Sequence, residues 1–284
     1  MDRLIIESYG KINLGLDILY KRKDGYHELK TIMQQISLKD IITIKEIEEG
    51  IVIESNSEEI PLDSTNLVYK AWDKLRGLAI NPKGIHIMIH KEIPVAAGLA
   101  GGSTNAASVL KGLNELWNLG LSEEDLRVIG KDLGADIPYC ITGGTALAEG
   151  IGEKLTKLNA FSGKHVLLIN PGIGISTEDV YSKLNLENKK RMDIEKIIKS
   201  IESDDLESLA KNMINGMEKV VIDENPIIGE IKEDILGCGA LGALMSGSGP
   251  TVFGLFNNET KLDFCKNKLS KKYPKGLIIK AHTI

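Results

Sequence analysis

The run Pro94-Val95-Ala96-Ala97-Gly98-Leu99-Ala100-Gly101-Gly102-Ser103-Thr104-Asn105 sets three glycines within five positions among other small residues. Glycine lets the backbone take positive φ and approach a ligand with no Cβ in the way. Downstream, Ala106, Val109, Leu110, Leu113, Leu116 and Trp117 recur at helical spacing, so the amides of the run would converge at a helix N-terminus, where the macrodipole adds positive charge. This arrangement suits phosphate. Ser103 or Thr104 would cap the helix or place a hydroxyl on a phosphate-bound metal ion. The competing reading is a plain connector between strand and helix. No Gly-Lys-Ser/Thr is present for a Walker loop, and Gly98, Gly101 and Gly102 miss the G-x-G-x-x-G spacing of dinucleotide sites.

A phosphoryl-transfer site also needs a base or orienting group for the acceptor and a cation to offset developing charge. Lys11 and Asn13 alternate with Ile12 in a strand-like run, which puts both polar residues on one face; a solvated strand face is the alternative. Asp136 lies in Gly134-Ala135-Asp136-Ile137-Pro138, an acid between small and apolar neighbours. It reads either as a site residue or as a turn former. A second glycine-rich segment, Ser246-Gly247-Ser248-Gly249-Pro250-Thr251, separates two apolar strand-like stretches, as a ligand loop or a tight hairpin would. His86 and His90 share a strand face, but no third metal ligand accompanies them, so they read as structural or exposed.

The elements that must position these residues follow from periodicity. Strands are expected over residues 4–9, 12–20, 31–37 and 41–47, with a turn at Asp24-Gly25. A helix is expected over 66–78 with Thr65 as its cap, then a half-buried strand through Ile85, Ile87 and Ile89 that feeds the glycine-rich run. The helix from Ser103 to Trp117 is followed by one opened by a capping box at Ser122-Glu123-Glu124-Asp125. Strands return over 143–150 and 165–170. We place a domain boundary within residues 155–163, giving domains 1–158 and 159–284.

Composition excludes several classes. In 284 residues, 42% hydrophobic and 26% charged, the net charge is −5, which argues against nucleic acid or an anionic membrane as the main partner. The stretches around Lys189-Lys190-Arg191 and Lys271-Lys272 read as solvated helix ends. Three widely spaced cysteines, Cys140, Cys238 and Cys265, suggest neither a disulfide framework nor a zinc site and fit a reducing cytoplasm. No stretch approaches eighteen apolar residues, so no membrane span is expected.

Taken together and in order, Gly10-Lys11-Ile12-Asn13-Leu14, the run 94–105, Gly134-Ala135-Asp136-Ile137-Pro138 and Gly247-Ser248-Gly249-Pro250-Thr251 resemble the motifs of the GHMP family of small-molecule kinases over essentially the whole chain. The resemblance implies an α+β fold of two domains, the first like the second domain of ribosomal protein S5 and the second ferredoxin-like. It implies ATP and Mg2+ as cofactors. Asp136 would orient or deprotonate the acceptor hydroxyl, with Lys11 beside it stabilising the alkoxide. Ser64 and Asn66 would lie near the adenine, and Pro94 with the stretch from Ala97 through Gly98, Leu99, Ala100, Gly101, Gly102, Ser103 and Thr104 to Asn105 would wrap the phosphates. Asp24-Gly25-Tyr26-His27-Glu28-Leu29 resembles the branch of the family that takes a cytidine diphosphate acceptor. There Tyr26 would stack on the base, His27 would read its edge, Asn13 would position the sugar-alcohol end, and Thr177 and Tyr181 would supply the far side. The protein ligands of the metal stay unknown beyond Ser103, and the resemblance admits either a monomer or a homodimer.

Overall fold

A computed structural model describes residues 3–80, 82–186 and 191–284. Lys189 and Lys190 lie outside the described residues. The chain runs β1 (Arg3–Lys21), β2 (His27–Ile47), β3 (Ile51–Ser55), α1 (Leu67–Arg76), β4 (Gly84–His90), α2 (Gly101–Leu116), α3 (Glu123–Leu133) and α4 (Ile137–Thr142). It continues with β5 (Thr145–Gly150), β6 (Lys154–Lys157), β7 (His165–Asn170), α5 (Thr177–Ser182), α6 (Ile194–Glu202), α7 (Leu206–Asn212), α8 (Glu218–Glu224) and α9 (Pro226–Gly237). Last come β8 (Gly242–Met245), β9 (Val252–Phe256), α10 (Glu259–Lys272) and β10 (Leu277–His282). Two compact units emerge. One holds the residues up to Gly10 with 38–95 and 100–143; the other holds 11–37, 96–99 and 144–284.

In the first unit β4 pairs in parallel with β3 and antiparallel with the 41–47 segment of β2. Helix α2 buries Ala106, Val109, Leu110 and Leu113, the period expected of an amphipathic helix facing a core. Its Gly112 sits so close to the sheet that a Cβ would lie 2.6 Å from Ile6 Cδ1 and 2.7 Å from Ile44 Cδ1. Helix α3 carries the expected box, Ser122 and Asp125 each bonding the other's backbone amide.

In the second unit the sheet order is β10-β7-β9-β8, with every neighbouring pair antiparallel. Strand, helices, two strands, helix and strand is the ferredoxin-like connectivity. Ile228, Ile231 and Ile235 of α9 and Leu262 and Leu269 of α10 join Leu167, Ile169, Val252 and Phe256 in one core. Here too β5 pairs with residues 29–34 of β2 and with β6.

Several expectations change. The four short strands of the N-terminal region are two long ones, because no residue between their halves breaks the extended backbone. Asn66, not Thr65, caps α1: its Oδ1 accepts from Val68 N at 2.9 Å, while Thr65 turns its hydroxyl to Asp63. Neither Ser103 nor Thr104 caps α2. The helix starts two residues earlier behind Ala100, whose φ of 60° ends the loop and lets the glycine amides form the first turn. The late glycine-rich segment is indeed a hairpin loop, between β8 and β9.

Candidate active site

In β1, residues 11–18 are buried on both faces, which removes the solvated-face alternative for Lys11 and Asn13. They are 4% and 2% exposed. A buried ammonium is costly unless oxygens surround it, and Lys11 Nζ donates to Asn13 Oδ1 at 2.9 Å. The backbone of Lys11 donates to Leu99 O at 3.1 Å, which ties the strand to the front of the glycine-rich run.

That front segment is gripped by the late loop. Ser246 Oγ donates to Gly98 O at 2.9 Å. Gly98 has φ +74°, and a Cβ there would fall 2.2 Å from Ser246 O, so both conformation and space demand glycine. Asn215 holds the late loop in turn, its amide nitrogen donating to Met245 O and Gly247 O at 2.7 and 2.8 Å. Ala97 and Leu99 are buried, so what they offer a ligand is backbone. The same unit places the His27 and Tyr181 rings in a stack, centroids 4.9 Å apart and 21° from parallel, while Tyr26 stands exposed. Helix α5 presents Thr177 and Tyr181 four residues apart, on one face, and the Thr177 and Ser248 hydroxyls share a 2.7 Å hydrogen bond.

In the first unit the helix bond from Thr104 N to Ala100 O, 2.9 Å, leaves the amides of Gly101, Gly102 and Ser103 as those a helix start offers an anion. Of the two candidate hydroxyls, Thr104 is buried and Ser103 half-exposed. Pro94 is half-buried and Ser64 exposed, whereas the Asn66 side chain is engaged by Val68 N and Pro61 O. Asn105 turns inward: its amide nitrogen donates to Asp40 Oδ2 at 2.8 Å and Ser8 Oγ at 3.0 Å. Asp40 also accepts from the amides of Glu92 and Ile93, both at 2.8 Å, and from the Lys91 ammonium. Asp40 was missed in the sequence. Its signal was an acid on the inward register of β2, in step with Ile36, Leu38 and Ile42.

Asp136 is half-buried at the N-cap position of α4, yet its side chain does not cap the helix. Pro138 occupies the second helical position and has no N–H to offer, which favours a carboxylate directed elsewhere. Its charge reaches the buried Tyr139, whose hydroxyl pKa rises well above the usual value through burial first, then through Cys140 and Asp136. His86 faces Glu54 at 3.2 Å and His90 faces Glu92 at 3.9 Å. Among the described residues no three His, Cys, Asp or Glu side chains group as metal ligands.

Comparison with known proteins gives two separate family matches along the chain. Residues 66–144 match the family described as GHMP kinases N terminal domain, and residues 197–275 match GHMP kinases C terminal. The chain belongs to the GHMP kinase family. This GHMP kinase is 47% identical over 282 residues to the 4-diphosphocytidyl-2-C-methyl-D-erythritol kinase of Clostridioides difficile, covering 98% of this chain and 95% of the relative. It is 48% identical over 256 residues to the protein of that name from Caldicellulosiruptor bescii, covering 89% and 90%. A crystal structure of 4-(cytidine 5'-diphospho)-2C-methyl-D-erythritol kinase superimposes with a TM-score of 0.85 at 28% identity over 99% of both chains. The homoserine kinase of Cytophaga hutchinsonii shares the fold, with a TM-score of 0.77 at 17% identity over 99% of this chain and 94% of that one. The α+β, two-domain GHMP kinase fold thus stands as expected, and with it ATP use and a small-molecule acceptor. Among the described residues no helix is long and apolar enough to cross a membrane.

Proposed function

We propose that this kinase transfers the terminal phosphoryl group of ATP to the 2-hydroxyl of 4-diphosphocytidyl-2-C-methyl-D-erythritol, a step toward isoprenoid precursors by the non-mevalonate route. The observation that carries the choice of acceptor is the likeness, at 47% identity over nearly the full chain, to a relative named for it. The stacked His27 and Tyr181 rings support it, since an aromatic surface suits a cytosine, while homoserine, a mevalonate or a sugar offers no base to stack.

In this reading the 97–105 stretch holds the ATP phosphates through its backbone amides, with Pro94 before it and Ser64 and Asn66 near the adenine. The positive-φ glycine cradle at Gly98 and the helix start at Gly101 fit such a ligand. Asp136 orients the acceptor hydroxyl and takes its proton, and Lys11 stabilises the alkoxide as charge develops. Asn13 positions the sugar-alcohol end; Tyr26, His27, Thr177 and Tyr181 hold the cytidine. Mg2+, brought with ATP, would neutralise phosphate charge, and the Ser103 hydroxyl would be a hard oxygen donor for it. We keep 1–158 and 159–284 as the sequence domains, and the cytoplasm as the compartment. ADP release with Mg-ATP, comparing this acceptor with homoserine, mevalonate and galactose, tests the reading. Release with the cytidine compound alone is expected; release with another acceptor, or with none, would overturn it.

A further inference from the structure

We infer that Thr31 is a positioning residue for phosphoryl transfer, acting by fixing which end of the Asn13 amide faces Lys11. This rests on the role of Lys11 in the function proposed above. The chain of bonds has one direction. Thr31 Oγ1 donates its single proton to Gly15 O at 2.7 Å, so toward Asn13 the hydroxyl presents only lone pairs. Asn13 Nδ2 donates into them at 2.8 Å, which leaves Asn13 Oδ1 to accept from Lys11 Nζ at 2.9 Å. Turning the amide over would set oxygen against oxygen at Thr31 and an NH2 group against an ammonium at Lys11.

All three side chains are buried, Thr31 completely, so water does not readily replace a lost partner and each bond counts more than at the surface. Geometry also places Thr31 well for the task. Lys11, Asn13 and Gly15 lie on one face of β1 by strand alternation, and Thr31 reaches that face from β2, eighteen residues away in sequence. A carbonyl oxygen held against the Lys11 ammonium limits where it can swing, and transfer depends on placing that charge to within fractions of an ångström.

The test is steady-state kinetics of the full chain with Mg-ATP and the cytidine acceptor, comparing the natural protein with Thr31→Val and Thr31→Ser, each at a temperature where its melting curve shows it folded. Thr31→Val keeps the shape and removes the hydroxyl. We expect kcat to fall at least tenfold with KM for ATP changed less than twofold, and Thr31→Ser to recover half or more of the natural kcat. If Thr31→Val does not fold, Thr31→Ala carries the same comparison. A purely structural role would lower the melting temperature of the hydroxyl-free variant while leaving kcat intact, and that result would overturn the inference. Equal losses in the valine and serine variants would overturn it too. An inactive natural protein would sink the functional reading and this inference with it, an outcome distinct from an active protein indifferent to Thr31.

Discussion

A lysine only 4% exposed inside an isoleucine-rich strand must be explained by its surroundings. Here the surroundings are an oriented amide, a hydroxyl and a backbone carbonyl, a polar path through an otherwise apolar layer. Asp136 presents the complementary case, a carboxylate at a helix start whose neighbouring proline takes away one amide it would otherwise cap. Asp136→Asn keeps the shape but cannot take a proton, so kcat should fall by about 10²-fold or more with ATP affinity nearly unchanged; near-normal turnover would remove Asp136 from the mechanism. The stacked Tyr181 ring makes a second prediction. Tyr181→Ala should weaken binding of the cytidine acceptor by about 1–3 kcal/mol, read as a higher KM for that substrate alone, and Tyr26→Ala should do less if the exposed ring is secondary.

At the scale of elements, the phosphate-loop candidate is secured on both flanks by different means. Its front, residues 96–99, is pinned by the β8–β9 hairpin and by the backbone of β1, whereas α2 is anchored by Asn105 on the buried Asp40. Such anchoring lets a loop with two non-glycine residues at positive φ, Ala96 and Ala100, persist in a conformation that would be unfavourable in isolation. Gly98→Ala should therefore be costly twice, through the positive φ and through the collision with Ser246 O. We expect a loss of at least about 2 kcal/mol in chemical denaturation, together with a raised KM for ATP. Wild-type stability in that variant would mean the hairpin does not grip the loop as described.

At the scale of the whole molecule, pH acts from both ends. Hydrogen bonds from Lys39 and then Tyr9 hold Glu7 below its ordinary 4.5, and those from Thr65 and Ser122 hold Asp63 and Asp125 below 3.8. Folded values depressed in this way contribute stability that is complete above the unfolded values and lost as pH falls through the folded ones. On the alkaline side, burial and then the neighbouring Cys238 push the Cys265 thiol from 9.0 up to about 12. A raised folded value contributes stability that is complete below pH 9 and is lost as pH climbs toward it. The melting temperature should thus be flat between about pH 5 and 9 and fall on either side, and Cys265→Ala should flatten the alkaline limb. A profile with no acid fall would contradict the carboxylate assignment, and one with no alkaline fall would contradict the thiol assignment.

Local periodicity and motif chemistry determined much of this by themselves: the extended character of the N-terminal region, though not its merging into two long strands, α1 to α3 with the Ser122 capping box, and the small-residue run that opens α2. They also determined the family, since four motifs in a fixed order depend on residue identity alone. What tertiary structure alone decided is which partner each polar group meets. Asn105 reaches Asp40 across 65 residues and Asn13 reaches Thr31 across 18. Alternation says that Asp40 and Thr31 point inward, but not what waits there. The same limit hid the grip of Ser246 on Gly98 and the His27–Tyr181 stack. Spacing along a chain reports the direction of a side chain; the identity of its neighbour is set by packing between segments far apart in sequence.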